Sequence, residues 1–389
     1  MIRIEIDPDT KEELEKIHWK WFEARMNVIA WGKKSHKDFI FDNVEFLEAN
    51  EKLLNQSQQE KIKNERLRNL IIGNPSSSDT SIKKFDFFKK INKTYHWHNV
   101  GLIKNNQQKT IAQAENDLID NLQKAFGYED FVSSPEKEQW YIDFKKKNGD
   151  EDWDIKILSK KINIDVCPYC NRQYIFGYDV EEQEKKRKHV DKKIIRKNTA
   201  EIDHFYPKSH YPFFSCSLYN FVPSCHICNS IKQAQDKDIL YPYTDSLDEQ
   251  EEKVTRKNAE FTFKAKDGSA LSYPIDKNTQ KEIELKVDPN YSKKNQAESS
   301  KTMFHLNEIY SKHTLELDDI IDRYEKCTPK QLHSLYNFVT KNLKITISEE
   351  NLKKLILGWP INTSKEYPLR KFKEDIINQI SEMAKTTVK

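Results

Sequence analysis

The sequence predicts an α+β fold: a mostly helical chain built around a central segment stapled by zinc. Three observations predict it. Apolar residues recur at helical spacing through residues 1–165 and again over the last hundred. Strand-like alternation is confined to the stretch between 166 and 288. Two Cys-x-x-Cys pairs, CPYC and CHIC, lie inside that stretch.

The chain has 389 residues, enough for two or three domains of ordinary size. The shifts of pattern place the boundaries at 1–165, 166–240 and 241–389. A mean hydropathy of −0.87 is polar for a globular chain. Yet 20 Phe, 17 Tyr and 7 Trp are far too many aromatics for a disordered one. No run of about 18 apolar residues is present, so no membrane span is expected. The opening MIRIEIDPDT is acidic where a signal peptide needs basic residues, which points to the cytoplasm. Lys and Arg number 65 against 62 Asp and Glu, so a histone-like electrostatic footprint is excluded. Nucleic acid, if bound, meets a local patch or arrives with a partner.

In chain order, Thr10-x-x-Glu13 forms a capping box pattern. Leu14, Ile17, Trp21, Ala24, Val28 and Trp31 follow as one helical stripe. A polar helix is expected over 45–72, stopping at Gly73-Asn74-Pro75, with SSSDTS as a loop. Residues 110–126 repeat the helical period. Ser134-Pro135 has the form of a helix start. Tyr174-Ile175-Phe176 and 201–206 predict strands, and 181–197 predicts a solvated loop or an extended hairpin. A helix is expected over 226–236. FTFKA and IELKV predict strands around the Asp267-Gly268 and Asp288-Pro289 turns. Thr328-Pro329 starts a further helix, and Leu369, Phe372, Ile376, Ile380 and Met383 form the closing stripe.

Chemistry concentrates in 167–232. Cys167, Cys170, Cys225 and Cys228 have the composition of a closed tetrahedral Zn²⁺ site, which is a structural kind. The 54 residues between Cys170 and Cys225 exceed what a zinc ribbon needs, so a structured element is held between the knuckles. Asp203-His204 lies inside it, and strand alternation sends the two side chains to opposite faces. A carboxylate beside an imidazole suits hydrolysis assisted by a hard cation, the imidazole taking a proton from water. Asn229 follows the last cysteine, where an amide oxygen is a second possible ligand. Asn220 precedes an apolar stretch and in isolation reads as a turn residue.

Taken together, VCPYC, EIDHFYPKS and LYNFVPSCHICNSIK resemble the HNH endonucleases, the zinc-stapled branch of the ββα-metal (His-Me finger) nucleases. The resemblance covers residues 167–232 and implies a ββα-metal nuclease core. It implies His204 as general base and Asp203 with Asn229 as ligands of a single Mg²⁺ or Mn²⁺. Asn220 would orient the base or its loop, and Lys232 would lie near the scissile phosphate. The last position is Asn where many members have His. The implied activity is phosphodiester hydrolysis, of DNA in preference to RNA. YPKS at 206–209 and PLRKFKEDI at 368–376 resemble HNH proteins of bacterial anti-phage systems of the Septu and retron-associated type. Those pair with an ABC-type ATPase, so an ATPase subunit is the implied partner.

Other features are weighed beside these. His96-Trp97-His98 lacks a partner at ligand spacing and reads as a partly buried aromatic segment. Cys216 and Cys327 read as ordinary buried thiols. The basic run Lys185–Lys188 with Lys192, Lys193, Arg196 and Lys197 is either a solvated face or a phosphate contact. Twelve basic against nine acidic residues over 167–240 leave that region only weakly positive. The competing function is a catalytically inactive, zinc-stapled module that binds nucleic acid or protein.

Overall fold

The computed structural model describes the chain apart from residues 74–110, 187–188, 253–256, 360–365, 388–389 and single positions at 32, 45, 48, 49 and 328. About half of the chain is helical, and the strands form small antiparallel sheets, compatible with an α+β fold. The first helix, α1 (Pro8–Met26), begins one turn before the Thr10-x-x-Glu13 box. Asp7 is the actual cap: its side chain accepts from the Thr10 N–H at 2.9 Å, and Pro8 takes the first helical position. Leu14, Trp21 and Phe22 are buried along it. The expected stripe stops at Met26, because Ile29–Trp31 (β1) turns back to pair with Lys34–Ser35 (β2).

Helix α2 (His36–Asn43) carries a reciprocal Ser35–Asp38 capping box, and α3 (Gln56–Ile72) an Asn55–Gln58 one. The second box explains why the helix expected over 45–72 starts later, and the helix stops at Gly73 as expected. Helix α4 (Ile111–Phe126) meets α5 (Tyr128–Ser133) at Gly127, whose φ of +85° is the left-handed region. A Cβ there would sit 2.7 Å from Arg25 Nε, which donates to Asp130 at 2.5 Å. Ser134-Pro135 ends a helix instead of starting one: Ser134 has φ +53° and its N–H bonds Asp130 O. Helices α6 (Gln139–Lys147) and α7 (Ile155–Ile162) follow.

The middle of the chain is three hairpin-like pairs and a short helix. The run at 181–197 adopts the extended-hairpin alternative, as β3 (Gly177–Lys186) against β4 (His189–Asn198). Tyr174 makes only an isolated bridge to Val166. Strand β5 (Glu201–His204) pairs antiparallel with β6 (Phe221–Ser224), and α8 (His226–Lys232) packs across β5. Strands β7 (Ala259–Ala265) and β8 (Lys281–Val287) correspond to FTFKA and IELKV. Helices α9 (Lys294–Met303), α10 (Leu306–Tyr310), α11 (Thr314–Glu325), α12 (Pro329–Asn337), α13 (Glu349–Ile356) and α14 (Arg370–Thr387) complete the chain.

Helix α14 covers β7 through Phe372, Ile376 and Ile380, all buried. It also satisfies the edge of that strand: Asp375 accepts from Phe261 N and Gln379 from Phe263 N, both at 2.9 Å. Buried side chains run as one cluster from α1 through the cysteine segment to α14. Among the described residues, no helix is long and apolar enough to cross a membrane.

Candidate active site and cysteine cluster

The two Cys-x-x-Cys turns meet. The thiols of Cys167, Cys170, Cys225 and Cys228 are buried and lie within 4.8 Å of one another. Tetrahedral Zn–S bonds of about 2.3 Å place sulfurs roughly 3.8 Å apart, and Cys170 Sγ is 4.0 Å from Cys225 Sγ. Burial pushes the Cys167 thiol up, so thiolates here need a cation to offset the loss of water. Four soft donors at this spacing fit zinc. The first turn is held by Asn171 N–H on Cys167 O (2.8 Å) and Cys167 N–H on Gln173 O (3.0 Å). Cys225 caps α8, and Tyr310 from the C-terminal region donates to Cys170 O at 2.8 Å. Cys216 is buried as expected, whereas Cys327 is only half-buried.

Strand β5 sends Asp203 and His204 to opposite sides. Asp203 faces the Tyr169 hydroxyl, which donates at 2.6 Å, and the Lys232 ammonium, 3.1 Å away. Lys232 also donates to His204 O at 2.8 Å and is 1% exposed. Burial pushes the Asp203 carboxyl up and the Lys232 ammonium down, while their mutual charge opposes both shifts. Removing one partner of such a pair costs about 3–5 kcal/mol.

His204 is buried between the Tyr128 and Phe221 rings, at centroid distances of 4.8 and 5.3 Å. Its Nε2 lies 3.0 Å from Ser215 O. A carbonyl oxygen only accepts, so Nε2 carries the proton and Nδ1 keeps its lone pair. No hydrogen bond from the described residues reaches Nδ1. Burial lowers the His204 pKa from 6.5 to about 4, so the ring is neutral at pH 7.

Asn220 is more than a turn residue. Its Oδ1 accepts from Tyr206 N (2.8 Å), and its Nδ2 donates to Tyr206 O (3.0 Å) and Phe214 O (2.9 Å). Fully buried, it closes the loop that presents Ser215 O to His204.

Asn229 lies within α8, not at its start, and donates to Glu201 Oε2 at 2.7 Å; His226 Nδ1 is 2.6 Å from Glu201 Oε1. The Asp203–Asn229 pair therefore does not fit a divalent cation as arranged. The Asp203 carboxylate is already taken by the Lys232 ammonium and the Tyr169 hydroxyl, the Asn229 amide is turned by its Nδ2–H bond to Glu201, and the cysteines form the one metal-type cluster among the described residues.

Sequence reasoning missed Tyr169, Glu201, Tyr128 and the Ser215 carbonyl. Tyr169 sits inside CPYC and Glu201 in EIDH, so a period-two count along β5 was available for Glu201. The rest act across long sequence separations. Of the basic run, Arg196 lies 3.3 Å from Asp152 and Lys197 3.9 Å from Glu182. The side chains of 183–194 and the segment His96–His98 lie outside the described residues. Comparison of the chain with protein-family models, curated proteins and solved structures returned no match.

Proposed function

We propose that the chain is an HNH-type endonuclease that hydrolyses phosphodiester bonds, DNA in preference to RNA, with His204 as the general base. The observation that carries this reading is the His204 tautomer. Ser215 O holds the proton on Nε2, and Nδ1 is left as a neutral acceptor for a proton from water. The resulting hydroxide attacks phosphorus, the P–O bond to the 3′ oxygen breaks, and the departing alkoxide takes a proton from solvent water. Asn220 positions the loop behind the base, and the cysteine cluster with zinc fixes the start of α8. The Mg²⁺ or Mn²⁺ that the motif resemblance implies at Asp203 and Asn229 requires Lys232 to leave Asp203.

That last pairing favours the second reading, an inactive zinc-stapled binding module, since a carboxylate locked to an ammonium is a structural element. The partner that the resemblance implies, an ATPase subunit of an anti-phage system, gains support from exposed apolar side chains. Leu335, Phe338, Leu343, Ile345 and Leu355 are each 40–54% exposed along α12, α13 and the segment between them.

The test is purified zinc-loaded protein on plasmid, single-stranded DNA and RNA. Each substrate is assayed with and without Mg²⁺ or Mn²⁺ and the proteins of neighbouring genes. Cleavage by the wild type and none by His204→Ala supports the nuclease; substrate binding with no cleavage under any condition supports the module.

A further inference from the structure

We propose that Lys208, not Lys232, is the cation that anchors a substrate phosphate beside His204. The inference rests on the nuclease reading above and names a second contact for the same site. Lys232 is spent: it is buried and saturated by Asp203 and His204 O. Lys208 is in the opposite condition. Its ammonium lies 3.9 Å from the centroid of the Tyr128 ring, and no hydrogen bond or ion pair from the described residues reaches it. The same Tyr128 ring packs edge-on against the His204 imidazole. One aromatic side chain therefore contacts both the base and a cation that has no anionic partner among the described residues. Lys208 is near enough to His204 for its charge to oppose protonation of the ring.

The backbone under Lys208 is rigid. Gln123 of α4 donates to Lys208 O at 3.0 Å, and His210 N and Tyr211 N both bond Pro207 O, closing the turn that starts at Pro207. The nearest acids, Glu129 and Asp120, act on Lys208 only through space. A half-buried ammonium without an anionic partner costs free energy. A phosphate oxygen supplies that partner, and the same charge stabilises the negative charge that develops on phosphorus oxygens during hydrolysis. The ring of Tyr128 keeps the ammonium in place before the phosphate arrives.

The test is fluorescence anisotropy with a short labelled single-stranded oligodeoxynucleotide at several salt concentrations. The zinc-loaded His204→Ala protein serves as the non-cleaving parent. Adding Lys208→Gln is expected to weaken binding by about tenfold and to lower the slope of log affinity against log salt by about one. Lys208→Arg is expected to keep both. Zinc content and circular dichroism report whether each variant is folded, and Lys264→Gln on the distant strand β7 serves as control. Unchanged affinity and slope in Lys208→Gln, or no binding by the parent at low salt, overturns the anchor. The two readings fail separately. If wild type cleaves and the slope is unchanged, the anchor falls alone; if the slope drops and wild type cleaves nothing, the hydrolysis falls alone.

Discussion

Two histidines sit on either side of one loop, and they differ in a single hydrogen bond. His18, on α1, brings Nε2 to within 2.8 Å of Cys216 O; His204, on β5, brings Nε2 to within 3.0 Å of Ser215 O. Both rings touch Phe221, both are buried, and burial lowers both pKa values to about 4. At His18 the remaining nitrogen is closed: Trp153 Nε1–H donates to Nδ1 at 3.2 Å. At His204 no such donor is present among the described residues. Adjacent carbonyls thus fix the same tautomer twice, and only one ring keeps a lone pair for chemistry. Burial and a lowered pKa are common to both rings; the unclaimed second nitrogen is what separates them.

The largest expected effect removes the support common to both pockets. Cys225→Ser, or a strong chelator, is expected to strip zinc and unfold the segment from 166 to 232, since structural zinc contributes on the order of 10 kcal/mol to small folds. Metal analysis with far-ultraviolet circular dichroism reads it. Full zinc occupancy in the variant rules out this ligand set.

The next separates the two pockets. His18→Ala leaves a cavity and orphans both the Trp153 N–H and the Cys216 carbonyl, a loss of about 3–5 kcal/mol. His204→Ala also leaves a cavity but orphans only one carbonyl, and is expected to cost less, about 2–4 kcal/mol. Urea midpoints give the order. A larger loss for His204→Ala would make His204 the structural member of the pair.

Acid sharpens the same comparison. A histidine whose folded pKa is about 4 against a usual 6.5 stays neutral in the fold while the unfolded chain takes up a proton. Stability is full above pH 6.5 and falls as pH drops towards 4, by up to about 3 kcal/mol per such histidine. His18→Gln is expected to flatten the curve of unfolding free energy against pH across that window. An equally steep curve in the variant would assign the acid sensitivity to other groups.

The smallest effect is at the loop. Asn220→Ala removes three hydrogen bonds from a buried side chain, so about 1–3 kcal/mol of stability is lost. Cleavage is expected to fall with it because Ser215 O loses its fixed place. Unchanged stability in urea would show that the loop is held without Asn220.

What the sequence made legible is the part written in side chains at short, regular spacing. The four cysteines lie in two tight turns, β5 is visible in the alternation of EIDH, and the closing stripe on α14 follows the helical period. Helix starts were less legible, because two caps compete within a few residues. Asp7-Pro8 lies one turn before the Thr10 box, and it is the Asp7 side chain that accepts from the Thr10 N–H. Ser134-Pro135 has the letters of a start, yet the left-handed φ at Ser134 makes it a stop. The site was half legible. Asp203, His204, Asn229 and Lys232 do lie in one strand–strand–helix unit, with Asn220 immediately before its second strand. Their partners could not be read, since a backbone carbonyl has no letter of its own and Tyr128 is 76 residues from His204 in the chain.

The central claim is that His204 is the base, and one measurement on matched samples tests it most directly. Cleavage rate, zinc content and urea midpoint are determined for wild type and His204→Ala under the same conditions. The account predicts full zinc and a cooperative urea transition in both, and a rate lower by on the order of 10²–10⁴ in the variant. A wild-type cleavage rate from zinc-loaded His204→Ala would contradict it.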